Sequence, residues 1–233
     1  MSGQDTVSPS RRFYGRRVGR RLRPGRQRLL QTALPSVEIT LPSEDRTLDP
    51  VTLFDPPPEK VWLEIGFGGG EHLLWQAAHH PNVGVIGCEP FINGLSTLLA
   101  GLEASGVRNV RLWPDDARLV LERLPATSLD RVFLLFADPW PKTRHAGRRF
   151  LQPDTVALLA DLMTNGAELR VASDNPGLVA WSLFHVRANP AFEWLARAPE
   201  DWRRRPKDWP ATRYEEKQLH GVPVFLRFRR RPR

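Results

Sequence analysis

Short apolar runs alternate with helix-patterned stretches along most of this chain, and each run ends on or beside a carboxylate. Val61–Ile65 reads as a buried strand that leads directly into Gly66-Phe67-Gly68-Gly69-Gly70. A helix follows with Leu73, Leu74, Ala77 and Ala78 on one side, and then a second strand, Val83–Cys88, ends at Glu89. The unit repeats as a helix over Leu95–Leu102, a strand over Val110–Leu112 leading to Asp115 and Asp116, a short helix over Ala117–Leu124 and a strand over Arg131–Phe136. Helix Pro153–Met163, strand Ala167–Ala172 and helix Pro176–Arg187 continue the pattern. This pitch predicts an α/β fold with a doubly wound, Rossmann-like parallel sheet. Phe192–Leu195 and Val224–Phe228 are expected to add an antiparallel C-terminal edge. Ligands of such sheets bind at the carboxyl ends of the strands, which is where Glu64, Glu89, Asp116, Asp138 and Asp174 fall.

The stretch from Phe136 to Phe150 (FADPWPKTRHAGRRF) carries the most chemistry. Asp138 emerges from a strand end into a loop stiffened by Pro139 and Pro141 and bearing Trp140. Lys142, Arg144, His145, Arg148 and Arg149 follow. A lone acid, a planar aromatic and a row of cations suit a site that positions a base and grips phosphate. A solvated basic loop is the plain alternative. The arginines beside His145 are expected to lower its pKa, which makes it a contact residue rather than a base. His72, His79 and His80 fall on or after a helix and are expected at the surface, while Trp75, Trp181 and Trp194 are expected to pack.

Charge points the same way. The 233 residues carry a formal net charge of +8, which favours a polyanionic partner because phosphate neutralisation releases counterions. No apolar run approaches the roughly 20 residues needed to span a bilayer, and no helix shows the strong apolar face of a membrane-surface segment. One cysteine, Cys88, excludes an internal disulfide framework and fits a reducing, cytoplasmic setting. No zinc-ligand spacing is present, so no metal is expected. Residues 1–35 are rich in arginine and poor in acids, with Arg11 to Arg28 interleaved with glycines. That composition predicts an arm that stays disordered until it meets an anion. Residues 36–58, ending in Pro56-Pro57-Pro58, read as a stiff spacer before a folded domain over 59–233.

Gly66, Gly68 and Gly70 lack the spacing of the dinucleotide fingerprint, whose last glycine comes later. A cofactor without a pyrophosphate needs a different turn. S-adenosylmethionine is one: an acid at the first strand end suits its ammonium group, Glu89 its ribose hydroxyls and Asp116 its adenine amino group. Helix capping by each acid is the competing reading. A small-molecule or protein methyltransferase has no use for so many arginines around Asp138. A dehydrogenase lacks its glycine spacing, and a noncatalytic RNA-binding module leaves the ordered acids unexplained.

LEIGFGGG over Leu63–Gly70, FADPWPKTRHAGRR over Phe136–Arg149 and TRYE over Thr212–Glu215 resemble the bacterial tRNA (guanine-N7-)-methyltransferases. The resemblance extends from about Val61 to the C-terminus. It implies a class I methyltransferase sheet and transfer of a methyl group from S-adenosylmethionine to N7 of a guanine in the variable loop of tRNA. It also implies that Glu64, Gly66, Gly68, Glu89, Asp116 and Asp138 contact the cofactor and that Asp138 is catalytic. Lys142, Asp174, Thr212, Arg213, Tyr214 and Glu215 would contact the substrate, and Arg144, His145, Arg148 and Arg149 the RNA. Ala137 stands where the family usually has proline, and Gly147 where a basic residue is common. The partner implied is tRNA, handled by a monomer or a homodimer.

Overall fold

A computed structural model describes residues 14–43 and 45–233. The first thirteen residues, including Arg11 and Arg12 of the expected arm, lie outside the described residues, as does Glu44.

Five parallel strands form the body of the sheet: β1 (Lys60–Ile65), β2 (Val83–Cys88), β3 (Val110–Trp113), β4 (Leu129–Leu135) and β5 (Met163–Ser173). Two more, β6 (Phe192–Trp194) and β7 (Val224–Arg230), complete the order β3-β2-β1-β4-β5-β7-β6. β7 runs antiparallel to both β5 and β6, as the sequence led us to expect. The chain winds outward from β1 to β3, then crosses to β4 on the other side of β1. The carboxyl ends of β1 and β4 therefore diverge at a topological switch point, where a crevice forms. Phe136 marks the exit from β4: its amide still donates to the Ala172 carbonyl, but its φ of +53° turns the chain out of the sheet.

Helices cover both faces. α3 (Glu71–His79) and α4 (Ile92–Ser105) lie on one side with α1 (Pro24–Thr32) and α2 (Leu34–Val37). On that face Leu73, Leu95, Leu98 and Leu99 are buried against Phe133, Val85 and Leu112. α5 (Ala117–Leu121), α6 (Pro153–Leu162) and α7 (Pro176–Ala188) cover the other side, packing Val120, Val156, Leu159 and Val186 on Leu63, Ile86 and Val132. The central strands are apolar on both faces because helices close both, as a parallel sheet requires. α8 (Glu200–Arg203) and α9 (Arg213–Lys217) sit in the loop between β6 and β7.

Two expectations drawn from composition are corrected. Part of the arm is folded: Pro24 opens α1, Leu29 is buried, and Arg26 donates to the Ser96 and Thr97 carbonyls of α4. The spacer is also packed. Ile39 and Phe54 are buried, and the Ile39 amide donates to the Leu112 carbonyl at 2.8 Å. Apolar residues at these few positions bury well because sheet and α4 already present an apolar surface to receive them.

Candidate active site

A cleft of about 540 Å³ opens at the carboxyl ends of β1, β2 and β4, within the usual range for small-ligand sites. Glu64, Gly66, Gly68, Glu89, Asp116, Asp138, Arg148 and Thr212 all border it. Most of the acids expected at strand ends are therefore brought together.

The floor is the glycine turn. Gly66, Gly68 and Gly70 have φ of +70°, +57° and +79°, a region in which side chains are strained. α4 closes against the turn so tightly that a Cβ on Gly94 would strike the carbonyl oxygen of Gly68. Glu89 locks the two elements together: its oxygens accept from the Gly68 amide at 2.7 Å and from the Phe91 amide at 2.8 Å. Burial pushes its carboxyl up to about 7, with the charges of Asp138 and Glu64 adding and the two amides opposing. Each bonded oxygen still has a lone pair for a further donor.

Glu64 is 3% exposed, and its Oε2 lies 2.7 Å from Nδ1 of His72, which is 2% exposed. His72 is thus a core residue rather than the surface group expected. Asp116 caps α5, accepting from the Arg118 amide at 3.0 Å and pairing with the Arg118 guanidinium at 3.0 Å. It does what the capping reading proposed while still bordering the cleft. Burial raises the Cys88 thiol far above its usual range, so it stays an unreactive lining group.

The other wall is the Asp138 loop. Asp138 is exposed, and Trp140, with φ of +42°, folds the loop back. Arg148 stacks its guanidinium over Trp140 at 5.0 Å and over Tyr14 at 4.8 Å. Tyr14, Gly15 and Arg16 line the cleft too, a contribution that composition had assigned to a disordered arm. The segment after them is tied down by the Ile92 amide donating to the Arg17 carbonyl and by an Arg17–Asp115 ion pair of 2.6 Å. Arg149 turns back onto its own loop. Its Nε and Nη2 donate to the Pro139 and Trp140 carbonyls, and it stacks on Trp181, so it braces the loop. Lys142 and Arg144 are exposed. His145 meets Trp140 edge-on, and slight desolvation followed by Arg148, Arg144 and Lys142 lowers its pKa, in the direction expected.

Thr212 is buried, caps α9 and reaches the cleft. Arg213 lies 3.7 Å from Glu71 at the start of α3. Glu215 pairs with Arg205 at 3.0 Å, and burial raises its carboxyl despite that partner. Tyr214 belongs to α9, but its side chain lies outside the described residues. Asp174 and Lys142 stand away from the cleft lining, with Asp174 accepting from the His220 amide. Among the described residues no group of His, Cys, Asp and Glu is placed to hold a metal ion.

The fold has well-defined relatives among solved structures. A 16S rRNA (adenine(1408)-N(1))-methyltransferase of Catenulisporales acidiphilia with S-adenosylmethionine superposes with a TM-score of 0.52 at 16% identity, over 75% of this chain and 87% of that one. An antibiotic-related methyltransferase gives 0.52 at 15% identity, over 84% and 98%. What they share with this chain is the fold, the sheet of the class I methyltransferases.

Sequence comparison narrows the class. The family described as "Putative methyltransferase" matches residues 58–224. The tRNA (guanine-N(7)-)-methyltransferase of Rhodospirillum rubrum is 55% identical over 226 residues, covering 95% of this chain and 89% of that one. Its counterpart from Paracoccus denitrificans is 46% identical over 239 residues, covering 99% and 100%. The chain belongs to the bacterial tRNA (guanine-N(7)-)-methyltransferase family.

Proposed function

We propose that this chain methylates N7 of a guanine in the variable loop of tRNA, with the cleft residues in the roles that follow. One observation carries the reading. Glu64, Glu89 and Asp138 converge on a single cleft whose rim is the cationic Asp138 loop. Glu64 would hold the ammonium group of S-adenosylmethionine, Glu89 the ribose hydroxyls, and Asp116 the adenine amino group, over the backbone of Gly66 and Gly68. The cofactor supplies a methyl group already activated on a positive sulfonium. The buried carboxylate of Glu89 fits a pair of hydroxyl donors because it needs further hydrogen bonds to be stable as an ion.

Guanine N7 keeps a lone pair outside the Watson–Crick edge, so no residue has to remove a proton before transfer. The task left to the protein is alignment and electrostatics. Asp138 accepts hydrogen bonds from the N1 and N2 edge of the guanine, and its charge offsets the positive charge that develops on the ring. Lys142, Asp174, Thr212, Arg213, Tyr214 and Glu215 frame the nucleoside. Arg144, His145 and Arg148 meet the RNA backbone, to which the net charge of +8 draws the protein. The enzyme works in the cytoplasm as a monomer or homodimer. No described helix is long and apolar enough to cross a membrane.

The test is to incubate the protein with labelled S-adenosylmethionine and unmodified tRNA, digest the RNA and identify the nucleoside. Chain cleavage at the modified base then maps its position. 7-Methylguanosine in the variable loop is the expected result. 7-Methylguanosine elsewhere would overturn the choice of loop, and label on another base would overturn the role given to Asp138.

A further inference from the structure

Behind the cofactor wall, a chain of buried polar groups joins Glu64 to the loop that leads into α9. His72 and Gln76 lie one turn apart on α3, so both face the same way. His72 Nδ1 meets Glu64 Oε2 at 2.7 Å, and His72 Nε2 meets Gln76 Nε2 at 3.1 Å. The same Gln76 nitrogen donates to the Asp208 carbonyl at 2.8 Å. A carbonyl only accepts, so the amide nitrogen has to face Asp208. His72 Nε2 is then the acceptor of the second amide proton, and the imidazole proton resides on Nδ1. Nδ1 of the histidine thus donates to Glu64. Gln76 makes these two bonds while its own Oε1, buried, has no partner among the described residues. The ring cannot swing away. Phe133 holds it edge-on at 4.7 Å and Trp209 at 6.2 Å.

We propose that His72 is a positioning residue with two separable duties. Its Nδ1 fixes the rotamer of Glu64 for the cofactor, and its Nε2, through Gln76, seats the Asp208–Trp209 loop that delivers Thr212 to the cleft. The far end of the chain is anchored, since Arg170 pairs with Asp208 at 2.8 Å. A fixed rotamer spares the ordering cost at the moment of binding. The proposal rests on the reading that Glu64 holds the cofactor.

Two near-isosteric substitutions divide the duties. In His72→Asn the amide nitrogen takes the place of Nδ1, and in His72→Gln the amide group reaches the place of Nε2. Cofactor binding is measured by titration calorimetry with S-adenosylhomocysteine, tRNA KM and kcat by methyl transfer, and folding by thermal melting. His72→Gln is expected to weaken cofactor binding about tenfold while holding the tRNA KM within about threefold. His72→Asn is expected to do the reverse, holding cofactor affinity within about threefold and raising the tRNA KM about tenfold. A histidine that merely fills the core would give parallel losses in both variants, in step with melting temperature, and that result overturns the proposal. Glu64→Gln separates the two readings. If it binds cofactor like the wild type, the role of Glu64 falls. If it loses binding while both His72 variants bind normally, only the role of His72 falls.

Discussion

On the β1–β2 wall of the cleft, Glu64 and Glu89 are buried and already bonded, one to His72 and the other to two backbone amides. On the β4 wall, Asp138, Lys142 and Arg144 are exposed, on a loop whose shape comes from prolines, a positive φ at Trp140 and the brace of Arg149. The first wall is set before any ligand arrives. The second keeps its charges in water. A small cofactor with few contacts benefits from preorganisation, whereas a polyanion supplies enough counterion release to order flexible cations on arrival.

Substitutions should respond differently on the two walls. The largest effect is expected at the exposed acid. Asp138→Asn should lower kcat by about 10²–10³-fold, the size of a lost electrostatic stabiliser of the transition state, with cofactor affinity held within about threefold. Single-turnover methylation beside calorimetry reads both, and full activity in the variant would remove Asp138 from the chemistry. Next comes the rigid wall. Gly94→Ala puts a methyl group into the Gly68 carbonyl, and it should cost about 1–3 kcal/mol of stability as overpacking does. Denaturant melts with and without cofactor would show whether the loss falls in the glycine turn.

A smaller effect concerns pH. Hydroxyl donors bind the ionised form of Glu89, so below its value of about 7 in the free protein a proton has to be displaced. Cofactor affinity should therefore fall about tenfold per pH unit below that point, until the value of the bound state is reached. The cofactor-free fold should show the opposite sign. Its Glu89 carboxyl is raised from 4.5, so this group adds stability as pH falls from about 7 towards 4.5. The smallest expected change separates two neighbouring arginines. Arg144→Ala should reduce the salt dependence of tRNA binding by about one phosphate's worth. Arg149→Ala should leave the slope unchanged and instead loosen the Asp138 loop, seen as a raised KM for tRNA.

Much of this arrangement was legible in the chain. β2 runs over Val83–Cys88 as read, and the other parallel strands differ mainly at their ends, because periodic apolar runs bounded by glycine and acids have one reading. The acids at those ends could be listed but not assigned, since capping and ligand contact use the same residue types, and Asp116 does cap. α1 and α2 were hidden by composition. Arginine dominated the first 35 residues, although Leu29, Leu30, Ala33, Leu34 and Val37 form a helical stripe that pattern alone could have found. His72 carried no local signal. Its role comes from a partner eight residues back, on the strand before the glycine turn. For Arg149, residue type shows a cation but not that the guanidinium turns inward to carbonyls of its own loop.

The edges of the sheet have a consequence for behaviour in concentrated solution. At one side the Ile39 amide takes up the Leu112 carbonyl, and Glu38 forms a single parallel bridge beside β3. At the other the last strand is only Phe192–Trp194. An unpaired strand edge is a template on which a second chain can add. The stretch around Ile39 therefore acts as a stopper as well as a packing segment. A chain trimmed to begin at Lys60 would keep the acids of the cleft but lay β3 bare, a free edge onto which further copies of the chain could add.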